Sequence, residues 1–387
     1  MIVRDKKLVE NAGLAQEAQK LNKAGLITKE QCKGIIDSLT LARTNDNLLV
    51  RILFFILGSF LYTSICGFFT LLTIDSIDNS YKFLLFFFAI VGFAGAEALS
   101  RSKFYGHGLD DAFILGAQLT LAIAIGVTTN SYELVIASFI TLTSLLSYLR
   151  YLHLSMALLF CFALAAVVVY SVFSLPSYVH SFLPFIIMAF AATLYFGSKK
   201  LKQKLAQSYY YQGLTLTQNF ALVLFYFSGN YLVVRELSIE LLGQDIAAGS
   251  DIPFAYLFYA FTFVVPAGYL YFALVKKDRI LLWIGLLSFC FSIYTIRFYY
   301  AVMPIEIALT IGGAVLFAAT LFTIRKLKNK ETGITFQADR FTETNAFLAA
   351  EIVVTSQMGS IQSEVSFDSP MAFGGGDFSG GGSGGSF

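Results

Sequence analysis

Phe190-Ala191-Ala192-Thr193-Leu194 returns as Phe317-Ala318-Ala319-Thr320-Leu321. Each copy closes an apolar stretch and runs into a basic exit: Lys200-Leu201-Lys202-Gln203-Lys204 in the first case, Lys326-Leu327-Lys328-Asn329-Lys330 in the second. An apolar stretch of about 20 residues that ends in lysines is what a helix leaving a bilayer presents. The repeated pentapeptide therefore predicts a duplicated membrane unit.

Composition sets the same class. The chain is 57% apolar and 13% charged, with 40 Phe and 21 Tyr. A soluble domain of this size cannot hide that much apolar surface. The net charge of +2 carries little information as a total, and its distribution carries much. Cys32 lies in the polar N-terminal region, while Cys66, Cys161 and Cys290 lie inside apolar runs. No CxxC or Cys/His spacing occurs, so the cysteines read as small packing residues, with no disulfide framework and no metal site. The first apolar run begins near residue 52, which argues against a cleavable leader.

Residues 1–50 are polar and basic and predict a cytosolic helical hairpin with a break at Gly25. Thr28 with Gln31 forms a capping box that starts the second helix, and Ile27 and Cys32 stand at the staple positions. Leu14, Ala18 and Leu21 make one apolar stripe, and Ile35, Ile36 and Leu39 another. No basic recognition face follows the turn, so a DNA-reading helix-turn-helix is set aside and no nucleic-acid partner is expected.

Ten apolar runs follow, at about 52–74, 83–99, 109–128, 132–149, 152–174, 179–197, 214–234, 252–275, 279–298 and 301–324. Each is near the length that crosses a bilayer. Charge sets the orientation. Arg101, Lys103, Arg150, Lys199, Lys200, Lys202, Lys204, Lys276, Lys277 and Arg279 fall on the side of the N-terminus. Lys82, Arg235 and Arg297 fall on the other side. Both termini are then cytosolic. The outer side is acidic (Asp75, Asp78, Glu133, Glu236, Glu240, Asp245, Asp251, Glu306), either from ordinary loop solvation or as a field that gathers cations. Residues 331–387 form a cytosolic tail, Gly/Ser-rich from 373. That stretch predicts disorder, as a plain flexible end or as a docking segment anchored by Phe373, Phe378 and Phe387.

The pentapeptide is not alone. Arg150-x-Leu152 and Leu158-x-Phe160-Cys161-Phe162 return at one constant interval as Arg279-x-Leu281 and Leu287-x-Phe289-Cys290-Phe291. Tyr105-x-x-Gly108-Leu109 returns as Tyr210-x-x-Gly213-Leu214, with Gly92 against Gly197 in the same frame. The expected fold is an all-α polytopic membrane helix bundle over 51–324. A leading hairpin (51–99) precedes two four-helix repeats, 100–204 and 205–330. Four-helix units keep their orientation when repeated, so the copies are parallel.

Two stretches resemble a known family. Leu21-Asn22-Lys23-Ala24-Gly25-Leu26-Ile27-Thr28-Lys29-Glu30-Gln31 is similar to the opening signature of bacterial inner-membrane proteins with an N-terminal domain of unknown function (2157 type). The closing hairpin, with Phe298-Tyr299-Tyr300 and Arg325-Lys326-Leu327-Lys328, is similar to the same proteins. The resemblance implies a short cytosolic hairpin ahead of a polytopic bundle in a bacterial inner membrane, and no activity.

Ionisable groups beside spanning helices are functional candidates. Glu97, His107, Asp110 and Asp111 cluster at the cytosolic mouth. On one helix face they would bind a divalent metal or relay protons. In the plainer reading, Gly106 and Gly108 keep His107 in the turn, and the two aspartates are first-turn acids. Arg297 and Glu306 flank the last outer turn as a salt bridge or a gate. Glu133 and His153 open their helices with no further role. Gln118, Thr120, Gln218 and Asn219 are the polar groups that a crevice between the copies would need. No HExxH or Walker loop is present, and no GxGxxG opens a helix after a strand, so no enzyme and no cofactor is expected. Two readings lead: an accessory or assembly membrane protein with cytosolic handles for partners, and a small-solute or ion transporter.

Overall fold

The computed structural model describes residues 6–299 apart from 24–26, 42–43, 45–46, 74–76, 206–208, 243–250 and 277, with the single positions 310, 314, 317, 321 and 325. Apart from positions 310, 314, 317 and 321, the tenth apolar run lies outside the described residues, as do Glu306, the rest of the second pentapeptide and the Gly-rich tail.

The N-terminal hairpin forms as its start chemistry demands. Helix α1 (Lys6–Lys23) packs on α2 (Lys29–Ser38), and Thr28 and Gln31 make both bonds of the capping box. The predicted stripes are corrected in part. Leu8, Ala15, Ala18 and Cys32 fill the interface, while Leu14, Leu21 and Ile35 face outward at 40–50% exposure. Small residues let the two helices approach, which turns the larger ones out.

The bundle is built from α3 (Leu48–Leu72), α4 (Ile77–Arg101), α5 (Leu109–Thr128), α6 (Glu133–Tyr151), α7 (Leu154–Phe173), the short α8 (Ser177–His180), α9 (Leu183–Lys204), α10 (Tyr211–Gly229), α11 (Tyr231–Leu242), α12 (Ala255–Lys276) and α13 (Arg279–Tyr299). No strand occurs among the described residues. Seven of these helices are long and apolar enough to cross a membrane: α3, α4 from Tyr81, α5, α6, α7, α12 and α13. The molecule is an all-α, multi-pass membrane protein.

Helix α5 is its hub. Of its apolar stretch 44% is buried, against 11% for α3, which lies at the periphery. Small residues let α4 and α5 touch: a side chain at Gly92 would stand 2.6 Å from the Ala117 Cβ. Tyr62 of α3 seals the same contact, donating to the Phe88 carbonyl at 3.0 Å and sharing a 2.9 Å bond with Thr120. Helix α10 packs chiefly on α9 and α7. There Gly213 faces the Tyr148 hydroxyl, which a Cβ would meet at 2.0 Å. Tyr148 and Tyr210 clasp across this joint, each donating to a carbonyl beside the other.

Close hairpins recur in order along the chain, α4–α5 and α6–α7, then α9–α10 and α12–α13. The matched residues, however, occupy different places in their helices. Gly108 caps α5 with φ +107°, whereas Gly213 lies inside α10, and Arg150 ends α6 whereas Arg279 opens α13. The seventh predicted run is also corrected. Residues 214–234 do not form one rod, because α10 and α11 meet at Asn230 with a 75° bend.

Candidate functional site

The expected mouth cluster does not gather on one face; it divides into three local structures. Asp110 is buried and accepts the backbone N–H groups of Gly106, His107 and Gly108 at 2.7, 2.9 and 3.2 Å. It therefore builds the turn before α5. His107 stays in that turn between the rings of Phe54 and Phe104, with centroids 4.3 and 4.9 Å away. Glu97 reaches sideways to Arg150, with bonds of 3.0 and 2.7 Å that tie α4 to α6, and to Arg101 one turn on.

Asp111 carries the third structure. One oxygen takes the Arg51 guanidinium at 2.7 and 2.6 Å, and the other meets His153 Nε2. Asp111 and His153 are buried, and Arg51 is a quarter exposed. Three helices, α3, α5 and α7, are thus joined by ionisable groups at one end of the bundle. Leu152 makes this geometry. Its left-handed conformation (φ 54°) turns the chain between α6 and α7, so that His153 opens α7 against Asp111. Such a conformation costs a non-glycine residue about 1–2 kcal/mol. His153 therefore has a role that its position as a helix opener concealed.

The proposed crevice groups have other duties. Gln118 donates to Thr143 of α6 at 2.7 Å, and Thr120 bonds Tyr62 of α3. Gln218 and Asn219 are half-buried on α10. Helices α5 and α10 share no extensive contact. Arg297 is exposed.

A second polar structure lies at the opposite end, around the break between α10 and α11. A helix interrupted inside a bundle leaves backbone groups that hydrocarbon cannot satisfy. Here side chains satisfy them. Asn230 is fully buried, and its Oδ1 accepts the Val233 N–H at 3.3 Å as the N-cap of α11. The Tyr231 N–H donates to Thr262 Oγ1 of α12 at 3.0 Å. Asn230 Nδ2 donates to Tyr226 and to Thr295 of α13, at 2.9 and 3.1 Å.

Pro266 explains the rest. It lies inside α12 and has no N–H, so the Thr262 carbonyl one turn back loses its helical donor. Ser292 of α13 donates to that carbonyl at 2.5 Å and shares a 2.9 Å bond with Tyr226. An unbroken chain of neutral groups thus runs from Asn230 through Tyr226 and Ser292 to Thr262. Beyond it, Arg235 donates to the Tyr231 hydroxyl at 2.7 Å, and that hydroxyl donates to Asp251 at 2.6 Å. Arg235 also lies 4.9 Å from the centre of the Tyr299 ring, and the Tyr299 hydroxyl donates to Glu236 at 2.5 Å. Tyr231 stacks on Tyr259 at 4.0 Å.

Asn230, Thr262, Ser292 and Thr295 were not singled out by sequence reasoning, and His153 was read only as a helix opener. Ser228-Gly229-Asn230 inside an apolar run, and Pro266 inside another, were the readable signals. Among the described residues no three His, Cys, Asp or Glu side chains converge as a metal site. A cavity of about 110 Å³ lies beside the break, among α9, α10, α11 and α12.

The architecture and these two structures define a polytopic helical membrane protein with a broken helix. No family model matches the chain, and neither a search of curated proteins nor a search of solved structures finds a match.

Proposed function

We propose that the chain is an accessory or assembly protein of a bacterial inner membrane, and not an enzyme, with its cytosolic hairpin and tail as handles for partner proteins. The observation that carries this reading is the outward stripe of the hairpin. Leu14, Leu21 and Ile35 are large apolar residues on the exposed side of α1 and α2. Exposed apolar residues grouped on a small polar element are what a docking surface requires. The engagement of Thr120 in joining α5 to α3 through Tyr62 supports it further, since a solute path needs such groups free. The finer architecture proposed with it has ten spans, the last over 301–324, both ends cytosolic, and two like-oriented quartets after the leading hairpin. The recurring order of close hairpins supports the quartets.

A photocrosslinker at Leu14 or Ile35 of the full chain, in native membranes, tests the reading. A discrete crosslinked protein that disappears with Leu21→Glu is expected. Crosslinks to lipid alone overturn it.

The broken helix favours a second reading, a transporter, because discontinuous helices with buried polar groups frame many solute sites. Single cysteines at positions 118 and 218, in a chain otherwise free of cysteine, separate the two. Labelling of both by a membrane-impermeant thiol reagent supports transport. Protection of both supports the accessory reading.

A further inference from the structure

We infer that the cavity beside the broken helix is a hydrocarbon-binding site, filled by a segment of a membrane lipid's acyl chain. Its walls come from four elements: Ile187 of α9, Leu224 of α10, Val234 of α11 and Phe258 of α12. It exists because α10 stops at Gly229. Had the helix continued straight, the next two turns would have followed the α10 axis. The 75° bend turns α11 off that axis, and the cavity lies between it and α9, α10 and α12.

The chemistry of the lining selects the occupant. Ser228 and Ser238 line the cavity, but each hydroxyl already donates to a carbonyl of its own helix, at 3.0 and 2.7 Å. The His180 ring is engaged with the Leu175 carbonyl at 3.1 Å. The serine oxygens can still accept, but eleven of the fifteen lining residues are apolar and none is Asp, Glu, Lys or Arg, too little to orient a sugar, a nucleotide or an ion. Water is disfavoured for the same reason: it needs two or more polar partners, and an apolar cavity of about 150 Å³ stays dry while binding benzene or xenon. At about 110 Å³ the space takes a few methylene groups. In a bilayer acyl chains are present at far higher local concentration than any free hydrocarbon.

The inference rests on the membrane class alone and is independent of the accessory reading. It is tested with the full chain in bilayers that contain a phospholipid bearing a diazirine midway along one acyl chain, with the labelled residues mapped by mass spectrometry. Labelling at Ile187 and Leu224 above that at Leu257, an exposed position on α12, is expected. Ile187→Trp fills the space and should abolish labelling at Leu224 while leaving Leu257 unchanged. Leu224→Ala widens the space and should raise labelling at Ile187, which decides the matter should the tryptophan variant fail to insert. Wall labelling no higher than at Leu257, or unmoved by both variants, overturns the inference. So does labelling by a small free photoreactive hydrocarbon without labelling by the lipid.

Discussion

At one end of the bundle Arg51, Asp111 and His153 hold three helices with ionisable groups. At the other, Asn230, Tyr226, Ser292, Thr262 and Thr295 hold three helices with neutral amides and hydroxyls. Both solve the same problem, polar atoms enclosed where water is scarce. They differ in how they should fail. A buried ion pair that loses one member leaves an uncompensated charge. A neutral network that loses one member leaves donors and acceptors whose cost is smaller and more local. The contrast teaches that the charged end is all-or-none, whereas the neutral end degrades in steps.

The largest effect should come from Asp111→Ala, which strands both Arg51 and His153. A loss of about 3–5 kcal/mol is expected from unfolding in mixed micelles. A loss smaller than that of any single change at the neutral end would invert the comparison. Gly213→Ala comes next, because the new methyl meets the Tyr148 hydroxyl, and overpacking of this kind costs about 1–3 kcal/mol. Trimming the obstacle in Gly213→Ala/Tyr148→Ala should recover part of it, and no recovery would place the strain elsewhere.

Asn230→Ala removes the cap of α11 and two links to other helices, at about 1–2 kcal/mol. Its sharper readout is shape. Spin labels at Val223 and Ile239, both exposed, should report a broader distance distribution than in the parent chain. An unchanged distribution would assign the bend to packing instead of to Asn230. Ser292→Ala should cost about 1 kcal/mol while Pro266 is present, and markedly less in a Pro266→Ala background, where the helix supplies its own donor to Thr262. Equal costs in the two backgrounds would break the account of the proline. Smallest of all is Glu97→Gln. Its partners Arg150 and Arg101 are 44% and 75% exposed, so solvent screening should hold the loss below about 1 kcal/mol.

Most of the described spans were legible because lipid demands uninterrupted apolar length, a property that one sequence displays without help. The 109–128 run coincides with α5, and the capping box at Thr28 and Gln31 formed as written. The break at Asn230 was harder to read. Hydropathy averaged over a window passes smoothly across Gly229-Asn230, and what stabilises the bend comes from Thr262 and Thr295, far away in the chain. Of the two readings of Asp111, the first-turn acid is the one that forms and the face shared with His107 is not, but neither named its partners. Its true partners, Arg51 and His153, lie 60 and 42 positions away. Periodicity along one helix cannot show a contact made between three. The hairpin stripes formed only in part: Ala18 is buried and Ile36 and Leu39 are half-buried, while Leu14, Leu21 and Ile35 face outward.

Only Leu152 and His153 separate α6 from α7. A joint that short cannot itself cross a bilayer, so the two rods must run in opposite senses, as a staple. Signals placed around this staple are then read for two crossings at once. Extra arginines at the joint should turn the whole staple over or leave it whole, and no intermediate with a single inverted rod has enough chain to exist.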